Sequence, residues 1–385
     1  MKTILIFLLV GGVSLGGDTL KVMTYNIQGM KPGTEPEVRI IHIIDKLIQI
    51  DPDIIGVQEI NESLSGGGAD NQAKVIADSL SAYFGINYNY YTSFTHLSWN
   101  NQFREFVGII TKHNVEEEGF FQLVSGVFPR KVVWNKIDTP IGTVNFFNTH
   151  LSFNSSSVRV QQVQQIIQYI ENTENNHPAI ASILTGDFND PPNAASIQLL
   201  TNTGSDTFYV DSYKYVNPGS PGYTIPSNAP TTRIDYVFTK NTGSLVPFES
   251  DVVMNQPYNG TNYCSDHLGV LTSFDIGVLS LDEGNNLYPE ELKLFQNYPN
   301  PFNPTTKIKF SVPTAASGFS PKTTVKVFDI LGKQVTTLVD AQLLAGIYEV
   351  NFDASSTAGG LASGIYLYKI QAGEYSDVKK MILLR

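Results

Sequence analysis

A single cysteine, Cys264, stands among 385 residues, so no internal disulfide and no cysteine-based zinc cluster can form. Positive charge is scarce as well. Twenty-five Lys and Arg face 36 Asp and Glu, a formal net charge of −11, which argues against a broad basic field for holding nucleic acid. Long hydrophobic runs are missing. The apolar stretch Ile4–Val10 is too short for a permanent membrane anchor, and nothing else approaches the roughly 18 apolar residues of a spanning helix. Packing material is plentiful. An apolar fraction of 42% and an aromatic fraction of 11% exclude a mainly disordered chain. The length suggests two domains or one large one.

The charge is unevenly spread. Residues 18–294 hold 15 basic and 30 acidic side chains, whereas residues 295–385 hold 9 and 6. Ahead of both, Lys2, the run Ile4–Val10 and the small residues Gly11–Gly17 form the pattern of a secretory signal peptide over residues 1–17. Export into an oxidising space with one cysteine describes a protein that needs no disulfide staples.

From Thr19 to about Ile276, β-rich runs alternate with helical periodicity. The strand candidates are 20–27, 53–60, 106–112, 142–150, 179–186, 233–239 and 268–274. Apolar residues recur at three- and four-residue steps over 36–50, 71–84 and 158–172. This alternation predicts a layered α/β fold for residues 18–276. Residues 277–296 are polar and aperiodic and read as a linker. Beyond them, residues 297–385 hold short alternating strands punctuated by Gly, Pro and Asn, the pattern of a small all-β sandwich. The acidic run Glu116–Glu118 reads as a solvated loop. Gly66–Gly68, with no Lys-Ser/Thr after it, reads as a flexible loop rather than a phosphate cradle.

Polar side chains collect where the apolar β runs of the first region end or begin: Asn26, Glu59, His150, Asp187, Asn189, Asp235, Asp266 and His267. In α/β folds the strand ends and the loops beyond them line the ligand crevice. Carboxylates and amides without cysteine make an oxygen-donor site suited to Mg²⁺, Mn²⁺ or Ca²⁺. His150 and His267 could each be oriented by a carboxylate. A hard cation with such histidines is equipment for attacking a phosphate ester with water. His42, His96, His113 and His177 fit no motif and read as surface or core histidines. Cys264 reads as a small buried residue.

The motifs TYNIQG, VQE, NTHL, GDFND, RIDYVF and SDH, in this order from about Leu20 to Phe274, resemble the endonuclease/exonuclease/phosphatase superfamily of metal-dependent phosphoesterases. The resemblance implies a four-layer α/β sandwich with two central sheets and the active site at one edge. It implies Glu59 as the main metal ligand with Asn26 and Asp266 beside it. Asp187 would position or deprotonate the attacking water, and Asn189 would hold a phosphate oxygen. His267, paired with Asp235, and His150 would contact the phosphate and exchange protons. Whether Asp187 or His267 is the general base stays open. Arg130 resembles the phosphate-contacting arginine of the pancreatic-type deoxyribonucleases, and Glu105 the carboxylate that pairs there with the first catalytic histidine. Where a tyrosine is often found, this chain has Phe103 and Arg104, so that phosphate contact is either missing or supplied by Arg104.

The stretch from LFQNYPNPFNPTTKIKFSVP to the terminal GIYLYKIQAGEYSDVKKMILLR resembles the type A sorting domain of the type IX secretion system. It implies passage across the outer membrane, cleavage of the domain, and release or surface attachment. A retained carbohydrate-binding or adhesive sandwich is the alternative for this region. The expectation is therefore an exported Mg²⁺- or Mn²⁺-dependent phosphodiesterase, monomeric and not membrane-inserted, acting on nucleic acid. A phospholipid phosphodiesterase, a phosphomonoesterase, and a degenerate surface interaction protein are the alternatives. The aromatic stretch 86–99 could serve a lipid surface or stack on bases. Acidity does not exclude a nuclease, because a bound cation inverts the local field.

Overall fold

The computed structural model describes residues 19–65, 70–202, 208–240, 245–276, 292–312, 322–343, 346–355, 360–373 and 375–384. The expected signal peptide, the Gly66–Gly68 loop and most of the expected linker lie outside the described residues. Those described divide into two compact units, one up to Ile276 and one from Leu292 onward.

In the first unit the chain runs through β1 (Thr19–Asn26), α1 (Pro36–Ile50), β2 (Ile54–Ser63), α2 (Gln72–Phe84), β3 (Asn89–Ser98) and β4 (Phe103–Thr111). It continues through β5 (Asn114–Gln122), β6 (Lys131–Thr139), β7 (Gly142–His150), α3 (Ser156–Asn176), β8 (Ala181–Asp187) and α4 (Ala195–Thr201). The last elements are β9 (Tyr209–Asp211), α5 (Ser212–Val216), β10 (Asp235–Lys240), β11 (Leu245–Val253) and β12 (Gly269–Ile276). Two six-stranded sheets result, ordered β11-β12-β1-β2-β4-β3 and β5-β6-β7-β8-β10-β9.

The sheets face each other across a core of Leu20, Val22, Ile54, Val133, Phe146, Ile183 and Phe274. The outer face of the first sheet packs on Ile43 and Leu47 of α1 and Ile76 and Leu80 of α2. That of the second packs on Val163, Ile166 and Ile170 of α3 and Ile197 and Leu200 of α4. This is the expected four-layer α/β sandwich. Strands covered on both faces should be apolar throughout, and β8 is buried at every residue.

The helices start where their caps stand. Pro36 opens α1, Asn71 accepts hydrogen bonds from the Ala73 and Lys74 amides at α2, and Ser155 accepts from the Val158 amide at α3. Glu116–Glu118 corrects the loop expectation. These residues lie in β5, an edge strand whose exposed, charged side chains hid its period and suit an unpaired edge.

The second unit contains β13 (Lys293–Leu294), β14 (Thr305–Val312), β15 (Lys322–Asp329), β16 (Gln334–Gln342), β17 (Gly346–Asp353), β18 (Gly364–Ala372) and β19 (Tyr375–Leu383). They form sheets β13-β14-β17 and β16-β15-β18-β19 over a core that includes Phe310, Val325, Val327, Tyr368 and Met381. Lys293–Leu294, read above as linker, pair with Ser311 and Phe310, and Leu294 joins that core.

Candidate active site

Strand register gathers the site. β8 lies between β7 and β10, and the pairing sets His150 and Asp235 on either side of Asp187 at the ends of their strands. From the other sheet β1 ends at Asn26, fully buried, whose Nδ2 donates to Asp187 Oδ2 and to Glu59 Oε1, both at 3.0 Å. Asp187 Oδ2 also faces His150 Nε2 at 3.4 Å and His267 Nε2 at 3.7 Å, while its Oδ1 accepts from the Asn189 amide at 2.9 Å. Three side chains from three motifs and both sheets, with one backbone amide, thus converge on one carboxylate.

The two histidines are in opposite electrostatic settings. His150 is held well below the usual imidazole range, first by burial and then by the Arg130 guanidinium. Arg130 Nη1 can only donate, so His150 Nδ1, 3.2 Å away, accepts and the proton stays on Nε2, facing Asp187. For His267 burial opposes the charged form, but Asp235 and then Asp187 outweigh it and push the pKa up to about 10. Its Nδ1 lies 3.0 and 3.2 Å from the two Asp235 oxygens. Burial pushes Asp187 up to about 7, with the His267 charge opposing and Asp235 adding.

Glu59 reaches the site through a break in its strand. The β2–β4 register pairs Val57 with Gly108 and resumes at Ile60 with Phe106, leaving Gln58 and Glu59 in a bulge. Glu59 itself is left-handed at φ 56°, a conformation that costs a non-glycine residue of order 1–3 kcal/mol and must be held by its surroundings. The holding group is Asn148 of the opposite sheet. Its Nδ2 donates to the Val57 and Gly108 carbonyls at 3.0 and 2.7 Å, and its Oδ1 accepts from Gln58 Nε2 at 2.7 Å and Thr185 Oγ1 at 3.2 Å. Gly56 permits this approach, since a Cβ there would lie 2.3 Å from Thr185 Oγ1.

Arg130 lies behind His150, with Glu105 Oε1 3.6 Å from its Nη1 and its buried Nε without a hydrogen-bond partner. Glu105 was expected to pair with the first histidine. Arg130 instead stands next to His150, and Glu105 contacts Arg130 and, at 3.7 Å, His96 Nε2. Burial and the neighbouring Glu59 charge push Glu105 up to about 7, against Arg130. His96, which sequence reading set aside, therefore belongs to this cluster. Burial and then the Arg130 charge hold it down at about 4, and its ring stacks on Phe128 at 4.2 Å. Its only sequence signal is proximity to the Glu105 strand. Arg104 is exposed and paired with Glu62 at 2.9 Å. Asn189 Nδ2 donates to the Leu151 carbonyl at 3.1 Å, leaving its second N–H. His42, His113 and His177 lie apart, on Tyr258, Asp53 and Glu117 respectively. Cys264 is buried.

Residues 23–267, well over half the chain, match the endonuclease/exonuclease/phosphatase family model. The chain belongs to that family. Its members hydrolyse phosphoester bonds and generally use divalent metals. Residues 296–384 match the secretion system C-terminal sorting domain, the type IX sorting tail, which indicates export to the cell surface or secretion. The chain matches no curated protein.

Among solved structures, a family protein from Leptotrichia buccalis is 24% identical, with a TM-score of 0.55, over 67% of this chain and 100% of its own. A mannosyl-6-phosphatase of Bacteroides thetaiotaomicron is 21% identical, with a TM-score of 0.55, over 67% and 100%. A humanized TDP2 of D. rerio is 17% identical, with a TM-score of 0.50, over 67% and 99%. These likenesses establish the fold. Among the described residues no helix is long and apolar enough to cross a membrane.

Two groups in this family fold could take a cation. Asp187, Asp235 and His267 offer ligand atoms within 4.8 Å of one another. His267, however, commits Nδ1 to Asp235, and the Asp235 and Asp187 charges favour its protonated form, which works against its serving as a ligand. The residues expected as the second group, Asn26, Glu59 and Asp266, offer the oxygen ligands a hard divalent ion takes, with Asn26 turning Nδ2 toward Glu59 here and its Oδ1 accepting from the Gln28 amide. Glu59 receives only the Asn26 amide in the described contacts, and Asp266 already draws a cation, the Lys31 ammonium at 3.5 Å.

Proposed function

We propose that this protein is an exported, Mg²⁺- or Mn²⁺-dependent phosphodiesterase that cuts nucleic acid by in-line attack of water. The observation that carries this is the convergence of Asn26, His150 and His267 on Asp187 Oδ2. Asn26, Glu59 and Asp266 would hold the metal, with Ca²⁺ as the other hard ion that suits them. Bound there, a divalent cation supplies positive charge for the phosphate and the leaving oxygen.

The remaining work falls to the chain. Asp187, pushed up to about 7 and oriented by Asn26 and Asn189, accepts the proton of the attacking water. His267 already carries a proton at neutral pH, which makes Asp187 the general base and His267 a donor to a phosphate oxygen. Asp235 keeps His267 charged and oriented. His150 presents Nε2–H from the other side as a neutral donor. Asn189 offers its free amide N–H, and Arg130, through its unpartnered Nε, adds a charged donor behind His150. Glu105 fixes Arg130. Export proceeds with residues 1–17 removed as a signal peptide and residues 297–385 cleaved as the sorting tail.

The test is a substrate panel with the purified full chain, with and without EDTA: plasmid DNA, RNA, sphingomyelin, inositol phosphates and a generic phosphomonoester. Metal-dependent cutting of DNA or RNA is expected. Turnover of sphingomyelin or the monoester alone would overturn the nucleic-acid reading, and no turnover of any member would overturn the enzymatic one.

A further inference from the structure

The loops that carry the two innermost cationic and histidine groups also carry exposed aromatic rings. Phe128 lies two residues before Arg130, and Phe153 three residues after His150. Their centroids are 6.1 Å apart, and they remain 36% and 55% exposed, with Val127 beside them 59% exposed. Exposed rings this close together usually find partners within the protein. Here one face of Phe128 is covered by His96, stacked at 4.2 Å and 16°. His96 in turn touches Glu105, Glu105 touches Arg130, and Arg130 touches His150. A chain of direct contacts therefore joins the rings to the phosphate-facing groups.

We infer that Phe128 and Phe153 form a stacking platform for a nucleobase flanking the scissile phosphate, so that the substrate is a base-bearing, unpaired nucleic-acid strand. This rests on the phosphodiesterase reading above and narrows its substrate. A planar base fits these rings. Stacking needs rigid aromatic faces within one nucleotide's reach of a phosphate site, and His96 fixes the tilt of Phe128 from behind. A lipid surface fits less well. The patch is two rings and a valine rather than a protruding apolar hairpin. The aromatic stretch 86–99 is spent elsewhere in part: Tyr88 is buried in the core, and Trp99 donates its Nε1–H to Asn61.

The experiment compares two single-stranded oligonucleotides of equal length, one ordinary and one with every base replaced by an abasic tetrahydrofuran residue. The backbone phosphates are identical, so any difference reports on bases. Binding is read by fluorescence anisotropy on the full chain carrying Asp187→Asn, and cleavage on the otherwise wild-type chain. The wild-type surface should bind the ordinary oligonucleotide more tightly. Phe128→Ala with Phe153→Ala should weaken that binding, and raise KM, by about tenfold or more, within the range base–aromatic stacking commands. The abasic oligonucleotide should be unaffected. Phe153→Tyr, which keeps a stacking face, should restore the preference and guards against misfolding as the cause.

Equal affinity for both oligonucleotides, or equal losses on both in the alanine variant, would overturn the platform. So would an alanine variant that loses binding to sphingomyelin vesicles while its oligonucleotide binding is unchanged. If binding shows the base preference but neither oligonucleotide is cut, the catalytic reading has failed and the platform stands.

Discussion

Asn148 is the residue whose loss should be felt both in the fold and in the chemistry. It comes from β7, two residues before His150, and crosses between the sheets to the bulge that projects Glu59. Replacing it by leucine keeps roughly the volume and removes every hydrogen bond. The buried carbonyls of Val57 and Gly108 then lose this donor, while the Gln58 amide keeps Thr24 Oγ1 and the Gly56 carbonyl. At about 1–3 kcal/mol for each buried polar group left unsatisfied, the cost is about 2–6 kcal/mol. For a unit of this size that corresponds to a fall in Tm of roughly 10 °C. The same change frees Gln58–Glu59 to relax from the left-handed geometry, so kcat should fall in the surviving folded protein. Thermal unfolding followed by circular dichroism, with activity measured well below the new Tm, reads both effects. Asn148→Asp is the sharper control. It keeps the shape but cannot donate, so it should be at least as harmful. A Tm change under about 2 °C in either variant would refute the claim that this amide holds the two sheets and the bulge in register.

Three further outcomes follow from the same geometry. Asp187→Asn keeps the shape but removes the proton acceptor, so turnover should fall by about 10²–10⁴-fold with Tm largely preserved; retained activity would leave His267 as the base. Gly186→Ala places a Cβ 2.3 Å from the Thr149 carbonyl at a φ of 155°, and should disturb the β7–β8 register that pairs His150 with Asp187. Its activity should drop more than its Tm, and the reverse order would place the strain away from the site. Asp53→Ala removes the acceptor of the Lys21 amide at 2.6 Å and the partner of Lys112 at 2.8 Å. It should cost about 1–3 kcal/mol in urea unfolding while leaving kcat unchanged.

Much of this was legible in the sequence because strand ends and metal-suited side chains coincide. Asn26, His150, Asp187 and Asp235 are each the first or last residue of a strand, and the three long helices fall where apolar residues repeat at helical steps. What stayed hidden was set by long-range packing. β3, β5 and β6 carry no strict alternation: β5 is an edge strand with polar side chains on both faces, and β6 is buried on both. His96 enters the site because a second bulge, between Phe94 and His96, places it opposite Glu105. No local pattern announces that. Arg130 and Glu105 were found by resemblance, yet their order in space, guanidinium next to histidine and carboxylate behind it, follows from the packing of β4 against β6. Asn148 lies inside the NTHL motif and was passed over because its partners come from three other strands.

The unequal charge of the two histidines gives the most direct check on how the site is tuned. Both face Asp187 Oδ2, so their difference must come from behind: Arg130 stands behind His150 and Asp235 behind His267. His267 shifts from an ordinary value of 6.5 up to about 10, which corresponds to about 5 kcal/mol of folding stability. Because the folded pKa is the higher one, that stability is fully present below about pH 6.5 and is lost as pH rises through about 10. Asp187 and Glu105, each at about 7, have finished titrating by about pH 8.5, and His150 is neutral in both folded and unfolded chains there. Between about pH 8.5 and 10 Cys264, pushed by burial up to about 11, adds the same decline to any variant, so the difference in slope between this protein and Asp235→Asn reports on His267. Asp235→Asn removes the largest force holding the proton, so its Tm should start lower at pH 7 and fall less steeply toward pH 10. Measured in EDTA, parallel curves for the two proteins would mean that Asp235 does not set the charge of His267. The donor role assigned to His267, and with it the choice of Asp187 as base, would then have to be given up.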